Sequence, residues 1–458
     1  MTTRATIAVA MPLACALLSG VARADDVATL RAELDGLKSE YSTRIAALEA
    51  RIAELQVQAA AAPQAPAAPP TSSRAGGTGT AFNPAMSVIL AGTYAHLSQD
   101  PANYRIAGFV PGGGDIGPGQ RSFNLGESEL TLAANVDPYF FANLTASLTA
   151  DDRISVEEAF FRTTALSRGF TLKGGRFFEG LGYLNEIHAH AWDFIDQPLV
   201  YQAFFNGQLT EDGVQLKWLA PTDIFVELGA ETGNGDRFPG TRRDRNGPNG
   251  GAVFIHVGDD LSDAASWRAG VSWLDRNADS RSYIDTNIAG LPVVNAFTGS
   301  SRTWVVDGVF KWAPHGNPTQ RYLKVQAEYL RRSETGSLTF DTSGLDRSGD
   351  YNAVQSGWYL QSVYQFRPRW RMGLRYDYLD AGSTAIGLVN SGQLPGAAFP
   401  ALAAAGPRRV TWMMDWSPSE FSRLRAQLAW DDARATARDR QLLLQYLYSI
   451  GAHGAHKF

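Results

Sequence analysis

The sequence predicts an all-β fold: a single transmembrane antiparallel β-barrel of about 16 strands, with about 18 as the alternative, preceded by a short N-terminal coiled-coil helix. Three observations predict it. From Phe82 onward apolar and polar residues alternate with a period of two. Short turn-forming connections alternate with long polar ones. After the N-terminus no stretch approaches the roughly 18 consecutive apolar residues of a helical span, which leaves a closed barrel as the only way to cross a membrane.

The N-terminus directs export. Arg4 supplies a positive start, Ala5 to Leu18 is apolar but too short to span, and Ala22-Arg23-Ala24 forms a cleavage site, so residues 1–24 read as a signal peptide. The single cysteine, Cys15, falls inside it, and the rival lipoprotein reading of Leu13-Ala14-Cys15 is out of frame. A mature chain without cysteine has no disulfide or thiolate chemistry. Residues 25–57 carry a heptad seam at Val27, Leu30, Leu34, Leu37, Tyr41, Ile45, Leu48, Ile52 and Leu55, with one stutter between Tyr41 and Ile45. Self-association, with a homotrimer as the natural state, is expected of this periplasmic coil; a lone helix docked on the barrel is the alternative. Residues 58–81 are rich in Ala, Pro, Gly, Ser and Thr and read as a semi-extended linker.

The barrel occupies 82–458. Phe140, Ala142, Leu144, Ala146 and Leu148 oppose Asn143, Thr145 and Ser147, and Leu323, Val325, Ala327 and Tyr329 oppose Lys324, Gln326 and Glu328. Trp370, Met372, Leu374 and Tyr376 oppose Arg371, Arg375 and Asp377 in the same way. A sandwich also uses this pattern, but not the asymmetry of the connections. Short turns at 136–139, 220–223, 366–369 and 417–420 alternate with long polar segments near 98–120, 232–250, 276–302, 333–353 and 380–407. Tyr139, Phe140, Trp218, Trp312, Tyr322, Phe366, Trp370, Trp416 and Phe421 sit beside the short turns, as an interfacial girdle requires. Strands are expected to start near Met86, Phe123, Phe140, Val156, Phe170, Gly213, Ile224, Ala252, Trp267, Thr303, Tyr322, Ser356, Trp370, Arg409, Ser422 and Gln441. An even count puts both termini on the periplasmic side and leaves a water-filled lumen.

Composition sets further bounds. A formal net charge of −5 and a charged content of 19% offer no basic stripe for nucleic acid. No G-x-S-x-G is present, and no Ser/His/Asp set falls on the wall, so no enzyme is expected.

The last strand presents Leu442, Leu444, Tyr446, Tyr448 and Ile450 on one face and ends at Phe458. This resembles the C-terminal signal read by the barrel-assembly machinery. Leu172 to Phe178 (LKGGRFF) with Gly182-Tyr183-Leu184-Asn185 resembles the Gly-x-Phe motif of the phosphate-selective porin O/P family of Gram-negative outer membranes. That resemblance implies a channel in outer-membrane lipid; without a dense lysine run, phosphate selectivity is not carried over. The stretch Leu184 to Phe194 and the ending Gly451 to His456 also resemble proteins catalogued as zinc-regulated or TonB-dependent outer-membrane receptors, although such receptors need about 22 strands and a plug domain, for which this chain has no room.

Function is expected at the connection 177–207, the third outer loop on this count, which the resemblance to porins turns inward as a constriction. It carries Glu179, Glu186, Asp193 and Asp196. Arg371, Arg375, Arg409, Arg423 and Arg425 face inward late in the chain, and an acidic loop opposite this arginine wall would set a transverse field for small hydrophilic solutes. Glu127, Glu129 and Glu158 also face inward and weaken any net selectivity. His188-x-His190 places two imidazoles on one side of an extended segment, with Glu186 or Asp193 as a third zinc ligand; His453 and His456 differ in parity and form no site together. Three functions follow from these residues: a passive diffusion channel, a zinc- or metal-chelate-linked uptake receptor, and a structural tether of the outer membrane.

Overall fold

In lipid, an open sheet edge would leave backbone N–H and C=O groups unpaired, so a membrane sheet must close on itself. A computed structural model describes residues 84–112, 116–148, 153–241 and 244–451. The expected signal peptide, coil and linker, and with them Phe458, His453 and His456, lie outside the described residues.

The strands are β1 (Ala85–Leu97), β2 (Ser122–Leu125), β3 (Ser128–Asn135), β4 (Phe140–Leu148), β5 (Ile154–Thr163), β6 (Phe170–Phe178), β7 (Thr210–Leu219), β8 (Phe225–Gly233), β9 (Gly250–Ser262), β10 (Ala265–Thr286), β11 (Pro292–Trp312), β12 (Tyr322–Phe340), β13 (Arg347–Arg367), β14 (Trp370–Ile386), β15 (Arg408–Ser419), β16 (Ser422–Asp431) and β17 (Asp439–Gly451). Sequential neighbours from β3 to β17 pair antiparallel. The ring closes where β1 meets β17, from Ser87↔Gly451 to Leu97↔Gln441. On its other edge β1 pairs with β3 near its start and with β2 further along. β2 and β3 are therefore two halves of one stave, broken at Gly126 and Glu127, and the barrel is closed by 16 strands with one extra short one.

The faces are inverted relative to a water-soluble protein because lipid is the outer solvent. Leu374 is 55% exposed on the outside, whereas Arg375 beside it is 1% exposed. Tyr446 and Tyr448 also point outward, stacked on each other, and Trp370 stacks on Trp416 near the short turns. One member of the expected girdle faces the other way: the Tyr322 hydroxyl accepts a hydrogen bond from Arg371 at 2.9 Å inside the barrel. Its place next to a turn suggested the girdle, but strand parity puts it on the Lys324 face.

The short turns follow local chemistry. At 136–139, the Asp137 carboxylate accepts from the backbone N–H groups of Tyr139 at 2.7 Å and Phe140 at 2.8 Å, an Asx turn beside Pro138. At the opposite end two expected loops are strand. The segments 276–302 and 333–353 belong largely to β10–β13, which are 22, 21, 19 and 21 residues long. Their polarity reads as loop because amphipathicity reverses along the strand. Beyond the lipid-facing zone the apolar side chains Tyr283, Phe297, Leu338, Phe340 and Tyr351 face inward, and the outer face carries Ser282, Thr298, Ser333 and Thr335 beside the exposed Ile284.

What they face is protein. Leu388, Ala398, Phe399 and Leu402 of the segment 387–407 pack inside this tall wall with Val110. A second cluster joins Tyr104, Ile106 and Phe109 of the first loop to the third loop and to Leu274, Val305, Leu330 and Tyr359 of the wall. The outer part of the lumen, expected to be water-filled, thus holds an apolar core built from inserted loops.

Candidate functional site: the third loop and its wall

The third loop begins where β6 runs close against β5. Gly174 and Gly175 permit that approach: Gly175 has φ +123°, and a Cβ there would strike the Ala159 carbonyl and Phe160. After Phe178 the chain turns inward. Asn185 holds the two ends of the loop together, donating to the carbonyls of Glu179 and Leu209, both at 2.8 Å, while its own oxygen accepts from Leu209 N at 2.8 Å. The helix α1 (Leu199–Phe205) follows, with every residue buried. Asp377 accepts from Leu199 N at 2.9 Å at its start, and Asn206 ends it in the left-handed conformation.

Seven of the nine charged residues expected around the constriction come together, in a different geometry: Asp193, Asp196, Arg371, Arg375, Arg409, Arg423 and Arg425. Asp193 pairs with Lys324 at 2.9 Å and with Arg371 at 3.0 Å. Asp196 pairs with Arg375 at 2.8 Å and Arg409 at 2.6 Å, and accepts from Gln427 at 2.7 Å. Arg425 donates to the Trp192 carbonyl at 2.8 Å, and Arg423 to that of His190 at 3.4 Å. The arginine wall therefore touches the acidic loop instead of facing it across open space. The sequence supplied the partners; loop reach decided that they meet. Glu179 and Glu186 turn to the other side, onto Arg276 and onto Lys217 at 3.0 Å.

These ion pairs set the ionisation of the loop carboxyls. Burial pushes Asp193 up, but Lys324 and Arg371 outweigh it and hold the group below the usual carboxylate range. Asp196 is likewise held low against its burial, by Arg375 and Arg409.

Glu328 was placed on the inward face by parity, but its role was not legible. It accepts from Leu184 N at 3.0 Å, from the Tyr201 hydroxyl at 2.8 Å and from the Tyr359 hydroxyl at 2.7 Å, anchoring both arms of the loop to the wall. No local signal in the strand β12 names such distant partners.

The two histidines also find partners other than those expected. His188 Nδ1 lies 3.5 Å from Glu129 Oε2 and 3.3 Å from Glu157 Oε2, and its Nε2 lies 3.1 Å from Glu158 Oε2. His190 Nδ1 is 2.8 Å from Glu129 Oε1, and the two rings stack with centroids 5.7 Å apart. Burial opposes protonation of His188, but its contacts with the three glutamates raise it well above the ordinary histidine value. Glu186 and Asp193, expected as the third metal ligand, are committed to Lys217, Lys324 and Arg371.

The histidines and Glu129, Glu158, Lys217 and Arg268 line a cavity of ≈ 700 Å³ between the loop and the wall. Ala85, Ala133, Phe141 and Phe225, near strand ends beside the short turns, belong to the same lining, so the cavity lies on the short-turn side of the loop.

An uncharacterised protein of Aquifex aeolicus (strain VF5) is 32% identical over 363 residues, covering 74% of this chain and 71% of that protein. No family profile matches the chain. Among solved structures, a loop L8 deletion mutant of OmpT, an outer membrane protein of Vibrio cholerae, superposes with a TM-score of 0.51 at 11% identity, over 81% of this chain and 100% of that one. An anion-selective porin from Comamonas acidovorans gives 0.47 at 10% identity, over 80% of this chain and 99% of that one. At 11% identity the likeness to the OmpT mutant is one of fold.

Proposed function

We propose, from the premise that this chain belongs to the family of the Aquifex aeolicus protein and folds as an outer-membrane porin-like barrel, that it is a channel of the Gram-negative outer membrane. Small hydrophilic solutes cross it passively, beside a third loop that narrows the lumen. One observation carries the reading: the loop is held inside the barrel by Asp193 and Asp196 on the β12–β15 wall, with a polar cavity of ≈ 700 Å³ left on its short-turn side. The passage is tight, because α1 and the first-loop residues Tyr104, Ile106 and Phe109 pack in its outer part. With Asp193 and Asp196 neutralised in contact with the wall, selectivity falls to the charges lining the cavity, among them Glu129, Glu227 and Arg268.

Single-channel recording in planar bilayers tests this. The folded chain is expected to give small discrete steps, and the double variant Asp193→Asn, Asp196→Asn, which loosens the loop from the arginine wall, steps at least about twofold larger. A folded double variant without current would end the channel reading. The heptad seam at residues 27–55 supports assembly as a trimer gathered on the periplasmic side, expected as conductance in groups of three.

A further inference from the structure

We infer that Glu129, Glu157 and His188 form a binding site for a divalent transition-metal ion of the Zn²⁺ class, at the foot of the third loop. Their ligand atoms all lie within 4.8 Å of one another. Glu129 Oε2 and His188 Nδ1 are buried and have no hydrogen-bond partner, yet they point into the same gap. The separations from Nδ1, 3.5 Å to Glu129 and 3.3 Å to Glu157, suit a shared ion better than hydrogen bonds. Bonds of about 2.05 Å to a tetrahedral Zn²⁺ put neighbouring ligand atoms roughly 3.3 Å apart.

The surroundings orient these ligands. Glu158 Oε2 contacts His188 Nε2 at 3.1 Å and keeps a proton on that nitrogen, so an ion binds at Nδ1 in exchange for the Nδ1 proton. His190 Nδ1 binds Glu129 Oε1 at 2.8 Å and turns the other carboxylate oxygen inward. His190 is thus a positioning residue and not a ligand. Glu157 reaches the same side as Glu158 because the β4–β5 register skips a residue there: Thr145 pairs with Glu158 and Ala146 with Val156. Glu129, Glu157 and Glu158, meeting two imidazoles between the loop and the wall, favour a bound cation. An imidazole in the set favours zinc-like ions over Mg²⁺ or Ca²⁺. Glu129 and His188 line the ≈ 700 Å³ cavity, which gives an ion its way in and leaves room for a fourth, water ligand.

The site stands apart from the channel reading, because binding is measured without current. Zinc chloride titrated by calorimetry into the full, metal-stripped chain in detergent is expected to saturate at one ion per chain, with no competition from Mg²⁺. Glu157→Gln and His188→Gln are each expected to weaken binding at least tenfold, and Glu158→Gln about 10–100-fold through the lost orienting contact. Folding of each variant is checked by the heat-dependent gel shift. X-ray absorption is expected to show a nitrogen and oxygen shell. Absence of saturable binding overturns the site; so does binding that survives both Glu157→Gln and His188→Gln but is lost in a His453→Ala, His456→Ala variant.

Discussion

Asp196 ties the third loop to the wall through Arg375, Arg409 and Gln427 at once. Its replacement by Asn leaves two buried guanidinium groups short of charge, although Asp377 remains beside both. A loss of about 3 kcal/mol is expected, at the low end for a broken buried pair, read as a lower denaturant midpoint in detergent. The same pairs fix the pH response. Asp193 and Asp196 titrate lower in the folded chain than the roughly 3.9 of an unfolded aspartate, so their contribution is complete above that value and is lost as the pH falls through the folded values. Channel size is therefore expected to hold at pH 5 and to rise only in strong acid. A rise already at pH 5 would mean that other groups hold the loop. The inward direction of the five arginines was legible, because parity alone sets it. Their contact with Asp193 and Asp196 was not, because it depends on how far a loop of about 30 residues folds back.

At the scale of elements, the strands were legible to within a few residues wherever one face meets lipid. β4, β6, β12, β14 and β16 start at or next to the expected residues Phe140, Phe170, Tyr322, Trp370 and Ser422. β11 and β13 start well before the expected Thr303 and Ser356, because their outer ends turn apolar residues inward, against inserted loops instead of outward against lipid. The Gly174-Gly175 pair that carried the family resemblance has a physical cause in the close β5–β6 approach. Gly175→Ala combines a strained positive φ with a backbone clash and is expected to cost at least about 1–3 kcal/mol. The measurement is refolding yield into vesicles, and an unchanged yield would show that β6 shifts without penalty.

At the scale of the whole molecule, closure and filling are separate matters. Closure by pairing of β1 with β17 needs only the ladder, whereas filling needs the apolar residues of three loops. Replacing 388–402 by a short Gly/Ser segment removes Leu388, Ala398, Phe399 and Leu402 from the outer core while leaving β14 and β15 intact. The expected result is a folded barrel with larger conductance and lower thermal stability, read by bilayer recording and the temperature of the gel shift. Removing 25–57 is expected to leave the barrel folded and shift trimer to monomer in size-exclusion chromatography with light scattering; a trimer that persists would place assembly on the barrel wall.

By itself the sequence determined the barrel, its inside and outside, the near-even rhythm of turns and the cast of charged residues at the lumen. Those features depend on period-two alternation, which is local and is enforced by lipid on one face. Only the tertiary structure decided which carboxylate meets which base, that the outer lumen is packed, and that His188 meets Glu129 and Glu157 instead of Glu186 or Asp193. Those pairings join positions up to more than a hundred residues apart through the path of an inserted loop, and no local pattern encodes that path.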